Sequence, residues 1–251
     1  MSPNEIRWFS VMIDIPAERF DRSMDFWSAV TGWLRGGPIG DEDEYVPLEP
    51  PTGDCYLWFQ RIGSDAPGCH LDLHVEDLDD AAAEAQRHGA RLVNSVEGLR
   101  VLATPAGQPF CFVTEEPDRA RQAPPPPQTA SGRHLVDQLC FDLPAADFER
   151  DADFWAALTG WRRRGREDEF DRIAVPEWLP AQFLLQRLDE DAPDGVHAHL
   201  DLSADDRDLE AARHQELGAE LVRRTEHWTT LRDPAGFVYC VTGRRTGLRF
   251  T

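Results

Sequence analysis

The chain contains a copy of itself. Residues 14–33 read DIPAERFDRSMDFWSAVTGW and residues 142–161 read DLPAADFERDADFWAALTGW, identical at 12 of 20 positions. The echo continues in the same order: Gln60-Arg61 and Gln186-Arg187, His70-Leu71-Asp72-Leu73 and His199-Leu200-Asp201-Leu202, then Pro105-Ala106-Gly107 before Cys111 and Pro234-Ala235-Gly236 before Cys240. The offset, 129 residues from His70 to His199, exceeds the ~20–50 residues of a solenoid repeat and matches the length of a domain. A chain of 251 residues has room for two such units, each able to bury a core. The expected domains are 1–114 and 134–251. Between them, residues 115–133 (EEPDRARQAPPPPQTASGR) carry four consecutive prolines, which fit neither a helix nor a sheet interior and favour an extended linker.

Each half subdivides in the same way. Val11, Ile13 and Ile15 alternate with Ser10, Met12 and Asp14, as on a half-buried strand; Leu139, Phe141 and Leu143 repeat this against Gln138, Cys140 and Asp142. An amphipathic helix is expected over about 17–30, with Phe20, Met24, Trp27 and Val30 on one stripe, and Gly32 and Gly160 suit the helix ends. Strands are expected near 45–48 and 56–60. The order then recurs: strand 70–75, helix 79–88, and strands near 91–93, 99–103 and 110–113, with copies at 197–203, 208–217, 220–222, 228–231 and 238–241. On the fifth strand His70, Asp72 and His74 share one face, and His197, His199, Asp201 and Ser203 share it in the copy. The reading is four βαβββ modules, two per domain, in an α+β fold.

Composition removes several functions. The net charge of −20 repels nucleic acid and anionic lipid, and favours cationic ligands. Every basic side chain other than histidine is arginine, so chemistry that needs a lysine amine (a Walker phosphate loop, a Schiff base) is excluded. No run of ~18 apolar residues suggests a membrane span, and Met1–Ser10 lacks the apolar stretch of a secretory signal. Five cysteines, an odd set without CxxC spacing, suit a reducing cytoplasm rather than a disulfide framework.

The motifs FW…TGW, HLDLHVEDLDDAAAEAQRHGA and TPAGQPFCFV, with their copies FWAALTGW, HLDLSADDRDLEAARHQELGA and DPAGFVYCVT, resemble the vicinal oxygen chelate superfamily, which includes glyoxalases, bleomycin-resistance proteins and extradiol dioxygenases. The resemblance covers the chain outside the linker. It implies a tandem duplication of a vicinal oxygen chelate domain, each domain a curled mixed sheet around a cleft with a divalent metal on the polar face. By that resemblance the fifth-strand ligand falls on His70 and His199. The first-strand ligand falls on Ser10 and Gln138, and the fourth-strand position near Gln60 and Gln186. The last-strand ligand, usually Glu, falls on Cys111 and Cys240. A thiolate binds zinc beside histidine and disfavours Mg²⁺ or Mn²⁺; a small buried apolar residue is the other role of such a cysteine. The implied cofactor is therefore zinc or another transition metal, with a metal-free cleft as the alternative. Modules can pair within a domain, giving Gln138, Gln186, His199 and Cys240. They can also pair across the duplication, joining Gln138 to His70 and Cys111. Domain 1 alone offers the poorer set, so domain 2 or the hybrid is expected to carry the site.

Asp14 and Asp142, on the polar face at the strand end, are candidate general bases, with a helix cap or turn as the commoner use of Asp there. Asp72 and Asp201 could orient the neighbouring histidines. His74 and His197 have no copies and are candidate ligand contacts. Trp58 and Trp228 could wall a cleft with Gln60 and Gln186, and suit a cationic or aromatic ligand. Three functions stay open: a metal-assisted isomerase, lyase or dioxygenase; a non-catalytic sequestering protein of the bleomycin-resistance type; and a scaffold. A complete duplication is compatible with a monomer as well as a homodimer.

Overall fold

The computed structural model describes residues 5–115, 120–189 and 195–247. The first half runs β1 (Trp8–Pro16), a 3-10 turn (Ala17–Arg19), α1 (Phe20–Thr31), β2 (Leu34–Arg35), β3 (Tyr45–Glu49), β4 (Leu57–Ile62), β5 (Gly68–Val75), α2 (Leu78–Arg87), β6 (Arg91–Val96), β7 (Leu99–Ala103) and β8 (Pro109–Thr114). After β9 (Gln128–Thr129) the second half runs β10 (Gly132–Leu143), α3 (Phe148–Thr159), β11 (Phe170–Ile173), β12 (Gln182–Arg187), β13 (His197–Ala204), α4 (Arg207–Glu216), β14 (Glu220–Arg224), β15 (Trp228–Arg232) and β16 (Val238–Thr242). Three modules show the expected βαβββ order. In the third, the strand equivalent to β2 shrinks to a bridge between Arg163 and Ile173.

The strands form two open mixed sheets, ordered β2-β3-β4-β1-β5-β8-β7-β6 and β11-β12-β10-β13-β16-β15-β14, with β9 paired to the start of β10. Antiparallel pairing of β1 with β5, and of β10 with β13, joins the two modules of each half. Modules therefore pair within a half, and the hybrid set joining Gln138 to His70 and Cys111 is not assembled. The reason is register: Met12 faces His70 across β1–β5, and Cys140 faces His199 across β10–β13.

Local signals act where expected. Gly32 and Gly160 end α1 and α3 in the left-handed region (φ 70° and 67°), which a side chain would strain. Thr31 Oγ1 donates to the Trp27 carbonyl and accepts from Trp33 N, and Thr159 repeats both bonds. Asp77 and Asp206 cap α2 and α4 by accepting from backbone amides. Asp14 and Asp142 cap nothing.

The halves are not separate cores. One apolar cluster runs from Ile6 to Val241. Trp27 of α1 lies 4.8 Å from the Tyr239 ring, and Trp155 of α3 lies 5.4 Å from the Phe110 ring. Each half's first helix thus covers the other half's last strand. The last carbonyls of α1 are also met from the second half: Ala29 O and Val30 O accept from Arg213, and Val30 O accepts from His134 Nε2. A cation at the negative end of a helix is favourable, and these carbonyls otherwise lack partners. The proline-rich segment is held too. Gln122 and Asp54 exchange two 2.7 Å bonds, and Arg121 binds Glu115. Residues 116–119 lie outside the described residues.

Candidate metal centres in two clefts

The polar faces of the central strands line two clefts, one per half, with cavities of about 650 Å³ in the first and 690 Å³ in the second. Strand alternation puts many of the same positions in each, although Trp58 and Trp228 are not copies of one another. The first holds Ser10, Asp14, Trp58, Gln60, His70, Asp72, His74 and Cys111. The second holds Gln138, Cys140, Asp142, Gln186, His199, Asp201, Trp228 and Cys240. His197 is different: it stands exposed at the start of β13, outside the cleft lining, where β13 is paired with β10 but not yet with β16, whose pairing begins at Asp201.

At the floor of the first cleft, His70 Nδ1 lies 2.8 Å from Asp14 Oδ2, and its Nε2 lies 3.4 Å from Asp72 Oδ1. Cys111 sits across the parallel β5–β8 pair from Asp72. Ligand atoms of His70, Asp72 and Cys111 all lie within 4.8 Å of one another. The second cleft repeats this. His199 Nδ1 is 3.0 Å from Asp142 Oδ2, its Nε2 is 3.3 Å from Asp201 Oδ1, and Cys240 completes a second group within 4.8 Å. A further group there, Cys140 with Asp142 and His199, has no copy, because Met12 occupies the equivalent place.

The electrostatics are alike. Burial opposes a charged imidazole at His70, but Asp14, Asp72 and Cys111 outweigh it and hold its pKa well above the ordinary value. At His199 burial is again overcome, by Cys140, Asp142 and Asp201. Burial pushes the Cys111 thiol up. Both sites thus attract positive charge, either a proton or a metal ion. The donor set fits a metal. Asp14 Oδ1 and Asp72 Oδ1 are buried acceptors with no hydrogen bond, and each site offers nitrogen, oxygen and sulfur donors facing open space. Three protein ligands with one open position is how catalytic zinc is commonly held.

The sequence missed two of these donors. Asp72 and Asp201 lie beside Nε2 of their histidines, whereas Asp14 and Asp142 hold Nδ1. Spacing was the available signal, since an Asp two residues after His lies on the same strand face. Gln138 reaches the site indirectly, its Nε2 donating to Asp201 Oδ2 at 2.5 Å. In the first half Ser10 instead bonds His74 Nε2 at 3.0 Å. Gln60 and Trp58 line the first cleft, and Gln186 and Trp228 the second. The first half brings together one His–Asp–Cys group and the second half two, which share His199.

A model of the glyoxalase-like domain matches residues 10–113 and again residues 138–242. The chain belongs to the glyoxalase-like domain family. Its fold is that of the vicinal oxygen chelate superfamily, duplicated in tandem. Among solved structures it is similar to a Mn(II)-bound glyoxalase from Novosphingobium aromaticivorans, at 16% identity and TM-score 0.62, covering 95% of this chain and 81% of that one. It is similar to BphC, a halotolerant catechol dioxygenase, at 12% identity and TM-score 0.62, covering 95% and 87%. It is also similar to 2,2',3-trihydroxybiphenyl 1,2-dioxygenase from dibenzofuran-degrading Sphingomonas wittichii, at 13% identity and TM-score 0.60, covering 95% and 90%. These likenesses show the fold. No curated protein matches the chain in sequence. No helix among the described residues is long and apolar enough to cross a membrane.

Proposed function

We propose that this glyoxalase-like chain is a metal-dependent enzyme with two clefts, each taking a small organic molecule with neighbouring oxygens for isomerase, lyase or dioxygenase chemistry. One observation carries the reading: a largely buried His–Asp–Cys group, its imidazole braced by a second Asp, occurs at equivalent positions in both halves. Burying charge is costly unless it is paired or coordinates a metal. A cleft that only sequesters an aromatic drug gains nothing from that cost, so the bleomycin-resistance type of role is not favoured. The thiolate favours zinc over Mg²⁺ or Mn²⁺.

A divalent cation at these donors supplies Lewis acidity to substrate oxygens. His70, Asp72 and Cys111 would hold it in the first cleft, and His199, Asp201 and Cys240 in the second. Asp14 and Asp142 fix the imidazole rings and their tautomer, which makes them positioning residues rather than bases. Gln138 fixes the Asp201 carboxylate. Trp58 and Trp228 wall the substrate space. All lining residues of each cleft come from one half, so neither cleft needs a second chain. All five thiols are free, which suits a cytoplasmic setting.

The test is metal content by mass spectrometry on protein purified without chelators and then given limiting zinc. About two equivalents per chain are expected, with one lost in His70→Ala and one in His199→Ala. Only trace metal in the unmutated protein overturns the reading.

A further inference from the structure

The two clefts carry the same floor under different walls. Among the described residues no arginine lines the first cleft, whose walls include Ile39, Trp58, Leu99, Val101 and Val113. Arg172, Arg223 and Arg244 line the second. Arg244 is the informative one. It follows Cys240 by four residues, so the two Cα atoms are separated by at most about 14 Å of chain. Its Nε donates to Thr242 Oγ1 at 3.0 Å and its Nη2 to Asp137 Oδ1 at 2.6 Å. Both bonds fix the guanidinium plane. The remaining nitrogen, Nη1, is buried and has no hydrogen-bond partner.

A buried donor without a partner costs about 1–3 kcal/mol, so native structures seldom leave one without a use. The equivalent position in the first half is Glu115, four residues after Cys111. It does not line its cleft; it is buried against His74 and Arg121. The charge at this position has therefore reversed between the copies. The acidic side of the second cleft is partly answered: Glu167 lies 3.6 Å from Arg172, and Asp168 stands exposed at the rim.

We propose that the second cleft selects a carboxylate-bearing substrate, anchored at the Arg244 guanidinium while its neighbouring oxygens face the His199 group, and that the first cleft takes an uncharged one. This rests on the functional reading above and adds the substrate class. A guanidinium held by two other bonds is preorganised, so it loses little entropy on meeting a carboxylate.

The experiment is calorimetric titration of zinc-loaded full-length protein with 3,4-dihydroxybenzoate and, separately, with catechol, its uncharged parent. The test variant is the double substitution Arg244→Gln with Asp137→Asn, which leaves no charge unpaired; circular dichroism verifies its fold. The expected result is one tight site per chain for the carboxylate probe. That site is weakened at least tenfold in the double variant and lost in His199→Ala, and it is unchanged in His70→Ala, while catechol binding moves less than twofold in the double variant. Equal weakening of both probes, or no weakening of the carboxylate probe, overturns the proposal and leaves the metal reading standing. Binding of neither probe to protein that holds two zinc ions overturns the proposal on its own; binding of neither to protein that also refuses zinc removes both readings. Should the double variant fail to fold, Arg244→Lys, which keeps the charge but not the planar fork, is expected to lose the preference for the carboxylate probe, and retention of the full preference overturns the proposal.

Discussion

Asp233 accepts a hydrogen bond from Ser23 Oγ at 2.5 Å across a sequence separation of 210 residues. The same oxygen takes Trp27 Nε1 at 3.1 Å, and its other oxygen takes Ala235 N and Phe237 N at 2.8 Å each. The first half's helix is thereby pinned to the turn before the second half's last strand. The reciprocal pin is built with the acid on the other partner: Asp151 of α3 accepts from Ala106 N at 2.8 Å, beside Thr104. The copies have traded Ser for Asp on the helix and Asp for Thr on the turn, keeping one carboxylate per joint.

Asp233→Ala leaves four donors without their acceptor. Each unsatisfied buried donor costs about 1–3 kcal/mol, and relaxation recovers part of it, so a loss on the order of 3 kcal/mol is expected. Ser23→Ala removes one bond and is expected to cost about 1 kcal/mol. Urea unfolding followed by fluorescence and circular dichroism measures both. Because one core spans both halves, a single transition is expected in the unmutated protein, and two separated transitions would contradict the shared core.

The joint at the end of α1 makes stability pH-dependent. Burial holds His214 and His134 below the ordinary histidine value. At Glu210 burial works the other way, but bonds from His214, Arg213 and Ser131 hold its carboxyl well below the usual range. The signs agree. Histidines depressed in the folded state must take up protons on unfolding once pH falls below about 6.5, so stability drops by up to ~1.4 kcal/mol per pH unit for each. A carboxyl depressed in the folded state adds a loss below about 4.5. The net charge of −20 acts in the opposite direction, since acid relieves self-repulsion. A difference measurement removes that term: the stability gap between wild type and His214→Gln is expected to narrow from pH 7.5 to pH 5, and a constant gap would refute the account.

Asp14 and Asp142 hold histidine Nδ1, and such bracing typically tunes metal affinity by 10–100-fold. Asp14→Asn and Asp142→Asn are each expected to weaken one of the two zinc sites by that factor, with the other untouched. Competition against a chromogenic zinc chelator measures it. An unchanged pair of affinities would mean that the carboxylates do not brace the ligand.

Some of this was legible in the sequence and some was not. The histidines and cysteines of both floors stood out because each occurs twice, in the same order, on strands whose alternation is plain. Asp72 and Asp201 stood out less, because an acid on a polar strand face usually faces solvent. Which acid would meet which imidazole nitrogen depends on the Met12–His70 register, and a strand pattern fixes parity but not register. The shared core was hidden for another reason. An apolar stripe such as Phe26–Trp27 states that a helix is covered, not that Tyr239 covers it. Arg244 could have been found by aligning the copies past the last strand, where it opposes Glu115.

The cysteines offer the sharpest test of how the donor set chooses its metal. In the family pattern that position is usually Glu, a hard oxygen ligand; here Cys111 and Cys240 place sulfur beside nitrogen and oxygen. Soft thiolate selects zinc, whereas carboxylate suits manganese and magnesium. Both positions lie on a parallel ladder, opposite Asp72 and Asp201, and both line their clefts. Cys111→Glu with Cys240→Glu is therefore expected to lower zinc affinity by at least tenfold and raise manganese affinity, read as the metal content of protein dialysed against an equimolar mixture of the two. The single variants should shift one equivalent each. A double variant that still takes up zinc alone would show that sulfur plays no part in the selection, and that the histidine and aspartate of each floor decide it.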